Sequence, residues 1–372
     1  MIKKFRAKNY GCLKDVTIDL TPLHAFVGPN DSGKSTILRG IRTVMQFASG
    51  QFRTDQNGTM LPFNPLLDPR AAKTKLTAPL PEQFLACGDE YGWYGIKNDI
   101  GKGIVEAFGE PGIPIDAPAT RTKSRNGWNT DSQLIKEIIE TNRNLVAAFQ
   151  GARLLRLDPD AMRLPTALAL EPLDYFDDRG YGLPGIYQAI LGRGDEASEE
   201  IRSAIRRLFP GIKRIGVKTQ WTGPQTALSL EGELIDGSKF DAPAMSEGLL
   251  YFLAFSLIPY LSPVSVLLIE EPENGLHPAR IQEVMRSLRT FVETTGTQVL
   301  MATHSPLVIN ELQPEEVSVV TKASVEEGTK VTRIQDTPNF KKRSSVYALG
   351  ELWLAYADGK VEAPLFEGGA AP

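Results

Sequence analysis

The sequence predicts an α/β fold: a core sheet with parallel strands, an antiparallel β lobe near the N-terminus and a helical insertion. Three observations carry that prediction. An apolar run at 23–27 leads through a glycine-rich loop into residues at helical spacing, a second at 264–269 ends in two acids, and a third at 298–302 is followed by a histidine. Unbroken apolar runs of this kind suit strands that are covered on both faces, as in parallel sheets.

In chain order, Ile2 to Lys8 and Val16 to Leu20 alternate apolar with polar residues, as half-buried strands do. Leu23 to Val27 is apolar and stops at Gly28, and Thr36–Phe47 places Ile37, Leu38, Ile41, Val44 and Met45 on one helical face. Residues 49–130 hold many Pro and Gly, with aromatics at Phe84, Tyr91, Trp93 and Tyr94, and read as short strands and loops. Ser132–Phe149 reads as an amphipathic helix through Leu134, Ile135, Ile138, Ile139, Leu145, Val146 and Phe149; Glu199–Phe209 reads as another, closed by Pro210. Leu249–Ile258 is apolar on every side and predicts a buried helix. Val264–Ile269 and Gln298–Ala302 predict buried strands. Between them Pro278 opens a helix whose inner face is Ile281, Val284, Met285, Leu288 and Val292. There is no internal repeat or sustained heptad pattern, and the tail beyond Phe366 is expected to fray.

The 372 residues are enough to bury a substantial core, and 42% hydrophobic with 23% charged residues is the composition of a globular chain. A net charge of −4 argues against wholesale wrapping of nucleic acid but allows a local basic patch. Lys123, Arg125 and Lys341-Lys342-Arg343 are either contacts to nucleic acid or solvated surface. Two cysteines, Cys12 and Cys87, cannot build a disulfide framework or a zinc ribbon, so a reducing, cytoplasmic setting is expected. The basic first residues have no signal-peptide apolar segment behind them. The stretch from Leu249 to Leu261 is too short to span a bilayer and contains Pro259, so no membrane role is expected.

Gly28-Pro-Asn30-Asp-Ser32-Gly33-Lys34-Ser35-Thr36 fits the G-x-x-x-x-G-K-[ST] phosphate loop at every fixed position. Backbone N–H groups of such a loop converge on phosphate oxygens, and the helix behind it points its positive end the same way. Lys34, expected to be exposed, would reach the β- and γ-phosphates of ATP, and Ser35 would ligate Mg²⁺. Glu270-Glu271 follow the second apolar run, where the first acid would hold Mg²⁺ and the second would polarise an attacking water. Taken alone, two such acids read as a solvated turn; beside a phosphate loop they read as catalytic. His304, just past the third run, would hydrogen-bond the γ-phosphate as a neutral imidazole; His277 follows the carboxylates and His24 reads as structural. Met245-Ser246-Glu247-Gly248 precedes the buried helix, so Ser246 is its N-cap and the free N–H groups there form an anion site. Alone, that segment is an ordinary cap.

Together these residues resemble the ABC-type ATPase heads of the RecF, SMC and OLD families, and most closely the OLD-like branch often described as AAA-family ATPases. The fold implied is a P-loop NTPase of the ABC-ATPase head type. Within that branch the signature resembles L-S-x-G, approximated by Met245 to Gly248, and the Walker B segment resembles I-E-E-P-E-N-x-L-H-P, followed closely by Ile269 to Pro278. Glu270 in place of Asp is therefore the branch's habit. Asn274 to His277 falls where the D-loop would be, and Thr303-His304-Ser305-Pro306 matches the histidine switch. Asp31 stands where Gly is common. Leu154-Leu-Arg-Leu-Asp-Pro and the stretch from Asp178 to Pro210 are similar to the family's second lobe, and the Q-loop glutamine is open between Gln83 and Gln150.

The resemblance implies one ATPase domain over 1–372: strands, phosphate loop and first helix at 1–48, β lobe and helical insertion at 49–240, signature to histidine switch at 241–310, and a C-terminal extension at 311–372. It also implies a homodimer that clamps ATP head to tail, with Ser246 and Gly248 of one copy on the γ-phosphate bound by the other. Pro and Gly throughout 49–240 exclude the long heptad arms of an SMC protein. The residues after His304 are too few for the TOPRIM domain of an OLD nuclease, so a separate effector, nuclease or toxin, is expected. Competing expectations are a RecF-like DNA-repair clamp, an ATP-latched scaffold that does not hydrolyse, and a small-molecule P-loop kinase. The last is disfavoured by the span from Thr36 to Glu270 and the intervening signature.

Overall fold

Alternation decides the first strands. The computed structural model describes residues 1–48, 83–88, 92–99, 104–111, 152–168, 175–222, 225–322, 324, 327–337 and 340–354. β1 (Lys4–Tyr10) and β2 (Leu13–Asp19) form a hairpin with Lys4 opposite Asp19 and Tyr10 opposite Leu13. Phe5, Ala7 and Tyr10 alternate into the core with Leu13, Val16 and Ile18. Asn9 and Gly11 at the turn take left-handed conformations, φ 52° and 56°, which these two residue types tolerate. β3 (Leu23–Val27) is buried at every residue. The helix expected over Leu249–Ile258 spans Glu247–Leu257, beginning two residues earlier behind its N-cap Ser246.

Two compact units make up the chain: Met1–Arg153, Val264–Leu268 and Thr297–Pro372 form one, Leu154–Pro263 and Ile269–Gly296 the other. In the first, β4 (Gln83–Gly88), β5 (Gly92–Asp99) and β6 (Ile104–Pro111) extend the hairpin into an antiparallel sheet of order β2-β1-β4-β5-β6. This is the expected N-terminal β lobe. The other strands of this unit are β13 (Gln298–Thr303), β14 (Val317–Lys322), β15 (Thr329–Arg333) and residues Val266–Leu268 of β12 (Val266–Glu270). Their order is β15-β14-β3-β13-β12, with β13 and β14 both parallel to β3 and β15 antiparallel at the end. The C-terminal extension therefore supplies core strands. The helix Lys34–Ala48 follows β3 and buries Ile37, Leu38, Ile41, Val44 and Met45, the face its spacing predicts.

Gln298 is polar yet fully buried in an apolar strand. Its side chain accepts from Ile2 N–H at 2.9 Å and donates to the carbonyls of Ile2 at 2.7 Å and Thr21 at 3.0 Å, satisfying backbone groups that would otherwise be orphaned. His24 is the same kind of residue. It is buried, its ring nitrogens lie 2.9 Å from Thr21 Oγ1 and 3.0 Å from Ser318 Oγ, and burial, helped by Arg333, pushes its pKa down to about 3. The fold holds it neutral while the unfolded chain titrates near 6.5. Its contribution to stability is therefore complete above pH 6.5 and is lost as pH falls from there toward 3. By pH 5 the loss amounts to about 2 kcal/mol. Urea unfolding at pH 7 and pH 5 should show that much less acid sensitivity in His24→Gln than in the wild type; equal sensitivity refutes the assignment.

In the second unit β10 (Gln225–Leu234) pairs antiparallel with β8 (Thr166–Ala167), β9 (Ile212–Thr222) and β11 (Lys239–Asp241), and β7 (Arg153–Leu155) is a short strand at its start. Its helices are Pro159–Arg163, Leu183–Gly192, Glu196–Leu208, Glu247–Leu257 and Pro278–Thr295. Glu196–Leu208 starts earlier than its apolar spacing predicts because Asp195 caps it, accepting from Ser198 N–H at 3.2 Å. Glu247–Leu257 buries residues on every side, as expected. Pro278–Thr295 is capped by His277, whose Nδ1 accepts from Ala279 N–H, and ends at Gly296 with φ 70°. The expected helix Ser132–Phe149, together with Tyr91, Lys123, Arg125, Gln150 and the tail beyond Phe366, lies outside the described residues. Among the described residues no helix is long and apolar enough to cross a membrane.

Candidate functional site

The loop after β3 is shaped by three residues that only small or tolerant side chains can fill. A β-carbon on Gly28 would lie 2.1 Å from the Val320 carbonyl oxygen, so only glycine fits between β3 and β14. Asp31 has φ 63°, the left-handed region, which explains why Gly is common there and why Asp is accepted. Gly33 has φ 113°, and a β-carbon there would meet Thr329 Oγ1 at 2.6 Å and Cys12 Sγ at 2.8 Å. Thr329 braces the loop further: its hydroxyl donates to the Ser32 carbonyl at 2.7 Å and its N–H to the Cys12 carbonyl at 2.9 Å. Ser35 and Thr36 lie in the first turn of the helix, with Thr36 Oγ1 3.7 Å from Cys12 Sγ. Asn30 lies on the exposed outer part of the loop.

Ser32 Oγ is buried with no hydrogen-bond partner among the described residues. A buried, unsatisfied hydroxyl costs free energy that a phosphate oxygen would return. Lys34 corrects an expectation. It is buried, 9% exposed, and its ammonium donates to the carbonyls of Gly28 at 2.7 Å and Pro29 at 2.8 Å. The loop itself holds the charge that was expected to stand free in solvent, because an ammonium enclosed this far needs acceptors.

His304 is placed by strand register. Thr303 of β13 is the partner of Val27 in β3, so His304 and Gly28 are the next residues out on neighbouring parallel strands, at the same edge of the sheet. Its side chain is exposed, and Ser305 N–H donates to Thr303 Oγ1 at 3.0 Å, which turns the chain after the strand. Ligands collect at this carboxyl edge in parallel sheets.

Within the second unit, the remaining motif residues are held by one another. Glu270 closes β12 with its side chain 8% exposed, and Arg156 Nε lies 3.6 Å from its Oε2. Arg156 is itself 71% exposed, so solvent screens this ion pair from one side. Glu271 has φ 53°, a left-handed conformation uncommon outside glycine and Asn. Asn274 donates to its carboxylate from Nδ2 at 2.7 Å. Ser246 caps the helix Glu247–Leu257 by accepting from Leu249 N–H at 3.4 Å, as predicted, and Arg163 Nη2 holds the Met245 carbonyl just ahead of it at 3.0 Å. Gly248 is required sterically: a β-carbon there would lie 2.7 Å from the Gly275 carbonyl oxygen.

Sequence reasoning missed Thr329, Val320, Cys12, Arg156 and Arg163. Each acts through a fold contact or a single ion pair, and no fixed spacing marks any of them. Of the two candidates for the Q-loop glutamine, Gln83 opens β4 in the antiparallel lobe.

Two family models match: one described as an AAA ATPase domain over residues 1–78, the other as an AAA domain, putative AbiEii toxin, type IV TA system, over residues 169–310. The chain carries an AAA-family ATPase domain. The phosphate loop lies in the first match, and Ser246, Gly248, Glu270, Glu271 and His304 in the second. An OLD nuclease of Thermus scotoductus is 51% identical over 45 residues, which is 12% of this chain and 8% of that protein. This ATPase therefore spans only a small part of the relative it matches. The SMC head bound to the C-terminal winged-helix domain of ScpA is similar in fold, at TM-score 0.55 and 16% identity over 89% of this chain and 97% of that one. So is the SMC head with an extended coiled coil from Pyrococcus furiosus, at 0.51 and 14% over 89% and 95%. The fold is thus that of the ABC-type ATPase heads.

Proposed function

We propose that this ATPase binds Mg²⁺-ATP at the Gly28–Thr36 loop, hydrolyses it with Glu271 as base, and works as a switch that dimerises head to tail on ATP. The observation that carries the reading is the loop itself: the buried, unpartnered Ser32 hydroxyl, the steric demand for Gly28 and Gly33, and the helix N-terminus behind them. Lys34 would exchange two carbonyl partners for phosphate oxygens. The Ser35 hydroxyl and the Glu270 carboxylate, directly or through water, are hard oxygen donors of the kind Mg²⁺ takes. When bound, the ion would neutralise phosphate charge and leave the chain's own groups to position water. Glu271 would take the proton of the attacking water and His304 would hydrogen-bond the γ-phosphate.

Beyond the capping by Ser246 and the close packing of Gly248, the helix they begin presents N–H groups suited to an anion. In the proposed dimer that anion is the γ-phosphate of the other copy, and hydrolysis releases the clamp. The output would be control of a separate effector, a nuclease or toxin, in phage defence or a DNA transaction in the cytoplasm. The SMC heads of similar fold were solved bound to domains of another protein, which is a precedent for a partner on such a scaffold.

The dimer is tested at Ser246. Ser246→Arg places a bulky side chain where the γ-phosphate of the other copy would dock, so ATP should still bind but the doubling of mass on adding ATP should disappear in light scattering. A Ser246→Arg protein that dimerises with ATP as the wild type does would rule out the head-to-tail clamp.

A further inference from the structure

Glu271, the base of the proposed reaction, is held in an unusual way. Its backbone has φ 53°, a conformation that strains a non-glycine residue, and it opens a tight turn in which Asn274 N–H donates to the Glu271 carbonyl at 3.1 Å. Asn274 is also the side chain that reaches back, with Nδ2 2.7 Å from Glu271 Oε2. One residue thus fastens both the backbone and the carboxylate of the base. The next residue, Gly275, has φ 66° and brings its carbonyl oxygen to within 2.7 Å of where a β-carbon of Gly248 would be, and its own β-carbon would meet the Tyr251 ring at 2.7 Å. Gly248 and Tyr251 both lie in the helix capped by Ser246. The segment that anchors the base is therefore packed without slack against the start of the signature helix.

We infer that Asn274 is the positioning residue of Glu271: its amide fixes the carboxylate while Gly275, pressed on Gly248, registers that carboxylate to the signature helix. The inference rests on the reading of Glu271 as the base. An amide is the right group for the task. It donates without carrying charge, so it orients a carboxylate without neutralising it. Aspartate at the same place has nearly the same shape but brings a second negative charge in place of the donor. Alanine removes this donor from the carboxylate and leaves the turn in place.

Steady-state ATP hydrolysis by Asn274→Ala and Asn274→Asp tests this. A misplaced catalytic group costs about 100-fold, so kcat should fall by about that factor in both, with KM unchanged and Asn274→Asp no better than Asn274→Ala. A purely structural role predicts instead that the near-isosteric Asp is tolerated. In a Glu271→Gln background, Asn274→Ala should have no further effect, since the group it positions has gone. Thermal unfolding of each variant keeps a folding failure from being read as a lost rate. If Glu271→Gln is inactive but Asn274→Ala turns over like the wild type, Asn274 does not position the base, while the base itself stands. If Glu271→Gln is fully active, the reading of the base fails first. Independent, multiplicative losses in the double variant would likewise overturn the inference.

Discussion

Glu271→Gln is expected to bind ATP and keep it, with turnover lower by roughly two to four orders of magnitude, the usual worth of a general base. The substitution keeps the shape of the side chain, and an amide at this position can still hydrogen-bond with Asn274, which lies 2.7 Å away. What it removes is the capacity to take a proton from water. Binding and chemistry are then separated, and the variant should accumulate as the ATP-bound dimer in light scattering while the wild type passes through it. Rapid-quench measurement of a single turnover locates the loss at the chemical step. Wild-type turnover would mean that another group activates the water, and with it the reading of Glu270-Glu271 as a catalytic pair would fall.

Much of the fold was legible in the sequence because its signals are local. β3 stops where Leu23–Val27 meets Gly28, and the helix Pro278–Thr295 begins at the proline and ends at a glycine, all decided by a few neighbouring residues. Other features depend on partners far along the chain. Gln298 looks out of place in an apolar strand until Ile2 and Thr21 are seen to need it. The extension beyond residue 310 gave no hint that β14 and β15 would join β3 in the core sheet, since short Val- and Thr-rich runs read equally well as surface strands.

The candidate site divides in the same way. Its chemical groups were legible because phosphate and water activation demand particular side chains at fixed spacing. Their supports were not. Val320 and Thr329 brace the phosphate loop from almost three hundred residues away, and Gly248 meets Gly275 across a fold contact. Asp31 shows the gain from adding geometry: the sequence said only that Gly is common there, while φ 63° says why. Glu271 shows the limit, because nothing in Glu-Glu-Pro-Glu-Asn predicts a left-handed glutamate.

Lys34→Ala is expected to lose ATP binding and, in addition, some stability. The first effect follows from the loop chemistry. A hydrogen bond from an ammonium to a charged acceptor contributes about 1.5–3 kcal/mol, so losing the lysine's phosphate contacts should weaken ATP at least about 100-fold. The second follows from where the side chain lies. Its ammonium satisfies the Gly28 and Pro29 carbonyls from a buried position, so alanine strips both acceptors of their donor inside the loop. Unless water takes the lysine's place, each orphaned acceptor costs about 1–3 kcal/mol. The two effects separate experimentally through Lys34→Met, which keeps the apolar stem and fills the space but donates nothing. Titration calorimetry with ATP should show the binding loss in both variants, and thermal melts without nucleotide should show a smaller stability loss for methionine than for alanine. A folded variant of either kind that binds ATP with wild-type affinity would remove the phosphate-loop assignment. If both variants melt like the wild type, the lysine–carbonyl contacts contribute nothing to holding the loop together.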